Sequence, residues 1–194
     1  MTIKRFFLVI LVGLFAACGF VPIQKEMLRT GETLAVDIEG YAFYEKLIIT
    51  ELGDGKTNFE VDRSSPLRND KFSQEVGKVF EEKFPAELRA RGVIVASGAP
   101  LKMKIHLAHG TSEKSPGLIA LMAVVSFSKQ DGSFNFEVNV LSAFPSLAKK
   151  ESIPFGEWRD LKTTKVLAER LSEASANAVV IKLREKGEIR SEGR

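Results

Sequence analysis

Few residues of this chain have types and spacing that could do chemistry. Cys18 is the only cysteine among 194 residues, so it has no disulfide partner in its own chain. In an exported protein such a thiol is open to oxidation and mispairing, whereas a sulfur consumed by acylation is not. His106 and His109 are the only histidines. Three apart on a strand, they point to opposite faces and make a poor metal pair. Carboxylates are plentiful but scattered. A glycine-rich phosphate loop, a nucleophile elbow and an HExxH motif are all missing from the sequence. The residues therefore nominate no catalytic group, no metal ligand and no cofactor.

Three features could carry binding instead. Lys102, Lys104 and His106 form a basic stripe, suited either to phosphate-bearing lipid or an acidic partner, or simply to solvent. Leu118 to Val125 is an uninterrupted apolar run. It reads either as a surface that inserts into a partner or membrane, or as a central strand covered on both sides. Phe155 and Trp158 stand beside Pro154 and Gly156, in a loop setting where binding residues are often found. Equally, they are aromatics that a loop tucks onto the core.

The elements that would position these residues begin with Lys4 and Arg5, a short basic start. Phe6 to Ala17 follows as twelve uncharged residues ending in small side chains. As a helix that run rises about 18 Å, short of the ~30 Å hydrocarbon core. It has the parts of an export signal rather than of a permanent membrane span. Leu14-Phe15-Ala16-Ala17-Cys18 resembles the lipobox of bacterial lipoproteins, with Phe15 where the family prefers leucine. The resemblance implies cleavage before Cys18, a thioether-linked diacylglycerol on its sulfur, and a further acyl chain such as palmitate on the new amino terminus. It also implies attachment at the periplasmic face of the outer membrane, since Gly19 is not the aspartate that tends to retain such proteins at the inner one. A plain signal peptide with an incidental cysteine is the alternative. Two or more acyl chains make anchoring stable where one does not.

Residues 1–17 contain two basic residues and no acidic one, so removing them lowers the formal net charge of +3 by two. A near-neutral remainder gives no electrostatic case for nucleic-acid binding. At this length one domain with its own core is the default. Fourteen phenylalanines, against two tyrosines and one tryptophan, point to aromatic core packing.

The expected organisation is a signal peptide over 1–17, an anchored tether over 18–32, a single domain over 33–186 and a frayed tail over 187–194. Leu34, Val36 and Ile38 alternate with polar residues as a half-buried strand, and Leu47 to Thr50 and Phe59 to Val61 read as shorter strands. Val76, Phe80, Phe84 and Leu88 continue a four-residue spacing from Phe72, which predicts an amphipathic helix. Pro85 predicts a kink or restart near Phe84, and Arg89, Arg91 and Gly92 predict the helix end. Val93 to Val95 reads as a short buried strand. Leu101, Met103, Ile105 and Leu107 alternate cleanly with Lys102, Lys104 and His106. Asp131-Gly132 is a hairpin signal between two long strands. A second helix is expected from about Thr164 to Lys186. The fold class is α+β: a two-layer sandwich, mostly antiparallel, with two amphipathic helices packed on one face.

This order of elements is similar to that of small α/β envelope lipoproteins, among them the lipopolysaccharide-assembly lipoproteins that plug an outer-membrane barrel partner. Cys18-Gly19-Phe20, the helix ending Arg91-Gly92-Val93, the strands across Asp131-Gly132 and the closing helix carry the similarity. The stretch Tyr41 to Ser65 departs from it, and no partner- or lipid-binding residue transfers. The expected function is a non-enzymatic scaffolding, assembly or accessory role beside an envelope protein partner. The alternative is a carrier holding a lipid or small amphiphile between helix and sheet. An enzyme acting on envelope substrate ranks behind both.

Overall fold

The computed structural model describes residues 25–44, 46–51, 57–64, 67, 71–111, 118–145 and 161–191. Its centre is a five-stranded sheet in the order β5-β2-β6-β7-β8. The strands are β2 (Ala35–Tyr44), β5 (Ile94–Val95), β6 (Leu101–Thr111), β7 (Leu118–Lys129) and β8 (Asn135–Pro145). β2 runs parallel to β5 and β6, and the ladders β6/β7 and β7/β8 are antiparallel. Helices α1 (Lys71–Ala90) and α2 (Leu161–Glu185) cover one face. This is the expected two-layer α+β sandwich, with one addition. A hairpin of β3 (Leu47–Glu51) and β4 (Thr57–Val61) covers part of the other face.

The helical layer follows from side-chain spacing. Val76, Phe80, Phe84 and Leu88 are all 1% exposed or less. They meet Val36, Met103, Ile105, Leu121, Val125 and Phe127 from the sheet, and Leu167, Leu171, Val179 and Leu183 from α2. The rings of Phe80 and Phe84 stack at 5.1 Å. The break expected at Pro85 is absent, and α1 is one continuous helix. Proline denies that turn its bond to the Glu81 carbonyl, but the buried line on either side of it is unbroken. The helix stops at Gly92, whose φ of 86° is left-handed. Gly92 N–H donates to the Arg89 carbonyl at 2.9 Å and Val93 N–H to the Leu88 carbonyl at 3.1 Å, a paired C-cap. Gly187 and Glu188 repeat the arrangement on Arg184 and Leu183.

β2 changes phase midway. Leu34, Val36 and Ile38 face the helices, yet so do Tyr41 and Phe43. A bulge between Ile38 and Gly40 inserts the extra residue Glu39 and reverses the parity of everything after it. The expected buried strand Val93–Val95 is corrected to two residues at the sheet edge. Val93 is buried against the helices, while Ile94 alternates to the opposite face and is 56% exposed.

Neither end of the described chain behaves as the sequence predicts. Within the expected tether, Leu28 N–H donates to the Arg91 carbonyl at 2.9 Å, and Leu28 packs on the core. β1 (Glu32–Thr33) then pairs antiparallel with β9 (Arg190–Ser191), inside the expected frayed tail. Ion pairs account for both differences: Arg184 contacts Glu26 and Glu32 at 3.0 Å each, and Lys129 contacts Glu188 at 2.6 Å. Residues 192–194 lie outside the described residues.

The joint between this strap and the helices is built on Arg91, which is 0% exposed. Its Nη1 donates to the Glu87 carbonyl at 2.8 Å and pairs with the Glu87 carboxylate. Nη2 donates to the Glu173 carbonyl of α2 at 3.2 Å.

Candidate functional site

The run Leu118 to Val125 is a central strand, and its two faces serve different layers. Leu121, Ala123 and Val125 face the helices, whereas Ala120, Met122 and Val124 face Leu47 and Val61 of the hairpin, with Ile49 and Phe59 packed alongside. A strand apolar on both faces needs two covers, and β3/β4 supplies the second. Its close seating depends on Gly110 of β6. A Cβ built there would stand 2.5 Å from the Leu47 carbonyl oxygen and 2.9 Å from Leu47 Cβ, so only glycine admits the hairpin at this distance.

The hairpin stops short of β8 and leaves a groove of about 470 Å³. Ile48, Phe59, Met122 and Val124 give it an apolar floor, with Asp62, Arg63 and Asn139 among its polar lining. Arg63 Nη2 donates to Glu137 Oε2 of β8 at 2.6 Å, and Ser126 Oγ donates to Glu137 Oε1 at 3.0 Å. The hydrogen bond from Arg63 holds the Glu137 carboxyl below its ordinary value. His106 belongs to the same covered face. Tyr44 meets it edge-on with ring centroids 5.1 Å apart, and its Nδ1 is buried without a hydrogen-bond partner. Burial first, and the Arg63 charge second, push the His106 pKa down.

Both shifts have the same consequence. In each case the folded state takes up a proton less readily than the unfolded chain, so stability is lost as pH falls. His106 contributes as pH drops below its ordinary 6.5, and Glu137 below its ordinary 4.5. Limited proteolysis of the β3/β4 hairpin is expected to speed up on acidification through this window. Glu137→Gln should remove the lower part of that dependence. An unchanged pH profile in the variant would show that the Arg63 contact does not hold the hairpin.

The basic stripe is split. Lys102 Nζ sits 2.6 Å from Glu39 Oε1 and Lys104 Nζ 3.6 Å from Glu39 Oε2, so the bulge residue offsets one of the two charges. The hydrogen bond from Lys102 holds the Glu39 carboxyl below its ordinary value. His106, two residues on, shares their sheet face but lies under the hairpin. None of the three is among the residues that line the groove. His109 points to the opposite face by strand alternation. Cys18, Phe155 and Trp158 lie outside the described residues. Among the described residues, no group of three or more His, Cys, Asp or Glu side chains is placed to hold a metal ion. Arg63, which lines the groove, and its partner Glu137 escape a reading of the sequence because 74 positions separate them. The available signal was the doubly apolar run itself, which demands a second cover.

A different cavity of about 220 Å³ opens at the edge of the helix–sheet interface, beside Tyr41, Gln74 and Gly77. The Tyr41 hydroxyl is buried without a partner, and burial pushes its pKa up. Core side chains from both helices and the sheet pack together across the described helix–sheet interface.

No protein-family model matches the chain, and no curated protein matches it. Among solved structures it is similar to an uncharacterized protein at 13% identity and a TM-score of 0.38, over 77% of this chain and 99% of that one. It is also similar to the rare lipoprotein B of Shewanella oneidensis, at 11% identity and a TM-score of 0.33. That match covers 77% of this chain and 96% of the other.

Proposed function

We propose that the chain is a lipid-anchored protein of the cell envelope with a non-enzymatic scaffolding or accessory role in a membrane complex. In this reading acyl chains on Cys18 hold it at the periplasmic face of the outer membrane. The observation that carries it is the sequence Leu14-Phe15-Ala16-Ala17-Cys18 behind a basic start, in a chain with no second cysteine. Among the described residues, no helix is long and apolar enough to cross a membrane. The described domain offers a partner a firm surface: a packed core, two helices and a clamped hairpin. Arg63 of the groove is paired with Glu137 beside it, so neither stands ready as an acid or base.

Cys18→Ala is expected to leave the domain folded and to move it from the membrane pellet to the soluble fraction. Circular dichroism and fractionation of cells check this. Retention in the membrane after the substitution would remove the anchor, and loss of fold would remove the separation of anchor from domain. Crosslinking in whole cells through a tag at the carboxyl end tests the scaffold: one recurring envelope membrane protein is the expected companion.

The 470 Å³ groove favours a second reading, a carrier for a small amphiphile. Its site would be the hairpin face of the sheet rather than the packed interior between helix and sheet. Lipid recovered with the purified protein, and lost on Met122→Trp, would support it.

A further inference from the structure

We infer that the domain seats one particular pole on the bilayer, with Met27 and Ile94 at headgroup level inside a ring of arginines. The inference rests on the acylation of Cys18 and adds a surface to it. Six residues separate Cys18 from Lys25, the first described residue. An extended chain of that length spans at most about 25 Å, so the bilayer must come within that distance of Lys25.

Lys25 leaves the domain beside Glu87 near the end of α1 and Glu173 of α2. The same pole holds the start of β2, the Gly92 cap and the β1/β9 ladder. Here Met27 is 46% exposed and Ile94 56% exposed, on either side of the joint where Leu28 meets Gly92. Arg29 stands two residues after Met27, the Arg89 carbonyl accepts from Gly92, and Arg190 lines one cavity with Ile94; all three are exposed. Acidic neighbours are turned to internal cations: Glu26 and Glu32 to Arg184, and Glu87 to Arg91. The outward balance of the pole is therefore basic with an apolar centre, the combination that suits an anionic headgroup layer. Lys71 marks the other end of α1, and a helix of 20 residues puts it about 30 Å from Ala90.

With Cys18 acylated, an introduced cysteine is the only free thiol in the chain. The full-length acylated protein, carrying one dye at Ala90→Cys or Lys71→Cys, would be placed in phosphatidylethanolamine–phosphatidylglycerol vesicles bearing a headgroup quencher. Several-fold stronger quenching at 90 than at 71 is expected. Arg29→Gln combined with Arg89→Gln, or phosphatidylcholine vesicles, should shrink that ratio while the protein stays vesicle-bound. Equal or reversed quenching in vesicle-bound protein overturns the seating and leaves the anchor standing. A ratio unmoved by charge removal overturns the arginine ring. Protein that does not float with vesicles and retains a free Cys18 thiol removes anchor and seating together.

Discussion

Arg91→Ala is expected to lower unfolding stability by about 3–5 kcal/mol, the range for removing one partner of a buried charge pair. That is a large share of the 5–15 kcal/mol typical of a domain. Arg91 is completely buried, and it bonds a carbonyl from each helix as well as the Glu87 carboxylate. Truncation takes a donor from each carbonyl and leaves the Glu87 carboxylate with only the more distant Lys25 ammonium, 3.6 Å away. Urea unfolding checks the size of the loss. Arg91→Lys should recover only part of it, because an ammonium cannot reproduce the planar fork. Arg91→Met with Glu87→Gln should recover more than Arg91→Met alone, since the second change removes the stranded charge. A midpoint for Arg91→Ala within error of the parent would mean that water replaces the guanidinium without cost, which a 0% exposed site does not allow.

Gly110→Val is expected to unseat the β3/β4 hairpin and to cost about 3 kcal/mol, the upper end of the usual range for overpacking. The clash is with the backbone carbonyl of Leu47, which has no rotamer to move away in. The rest of the five-stranded sheet and the helices on its opposite face should persist. Two readouts separate this from general unfolding. Cleavage within residues 47–61 should accelerate strongly while cleavage in α1 and α2 does not. Binding of a hydrophobic dye should rise as Ala120, Met122 and Val124 lose their cover. Uniform acceleration across the chain would mean that hairpin and sheet fold as one unit.

Local order was legible wherever one residue pattern had one structural meaning. Leu101 to Leu107 alternates and is a strand buried on alternate residues. Asp131 accepts from the Ser133 backbone and hydroxyl, making the expected turn between β7 and β8. Long-range placement was not legible in the same way. Leu47 to Thr50 reads as strand, but a period of two says nothing about which layer the strand joins. His106 faces outward as the alternation predicts, yet outward from the sheet is not outward to water once a hairpin lies over it. The phase change in β2 hides behind Glu39-Gly40, where a bulge adds one residue and reverses the pattern. The candidate groove depends on the first of these placements, the seat of the hairpin over β7, so local patterns could not show it.

The β1/β9 ladder and the strap ahead of it also decide how the domain takes load. Tension from an anchored amino end enters at Lys25 and meets both helices at once, through Glu87 and Glu173. It passes next to Asn177, which accepts the Glu26 N–H at 2.6 Å, and then to the Arg91 carbonyl and Arg184. Only beyond Thr33 does it reach the central sheet. A tug on the amino end is thus spread over the two longest of the described elements before it can peel β2 from its neighbours. The first slack to appear under force should be in the strap, with the sheet and its hairpin still closed.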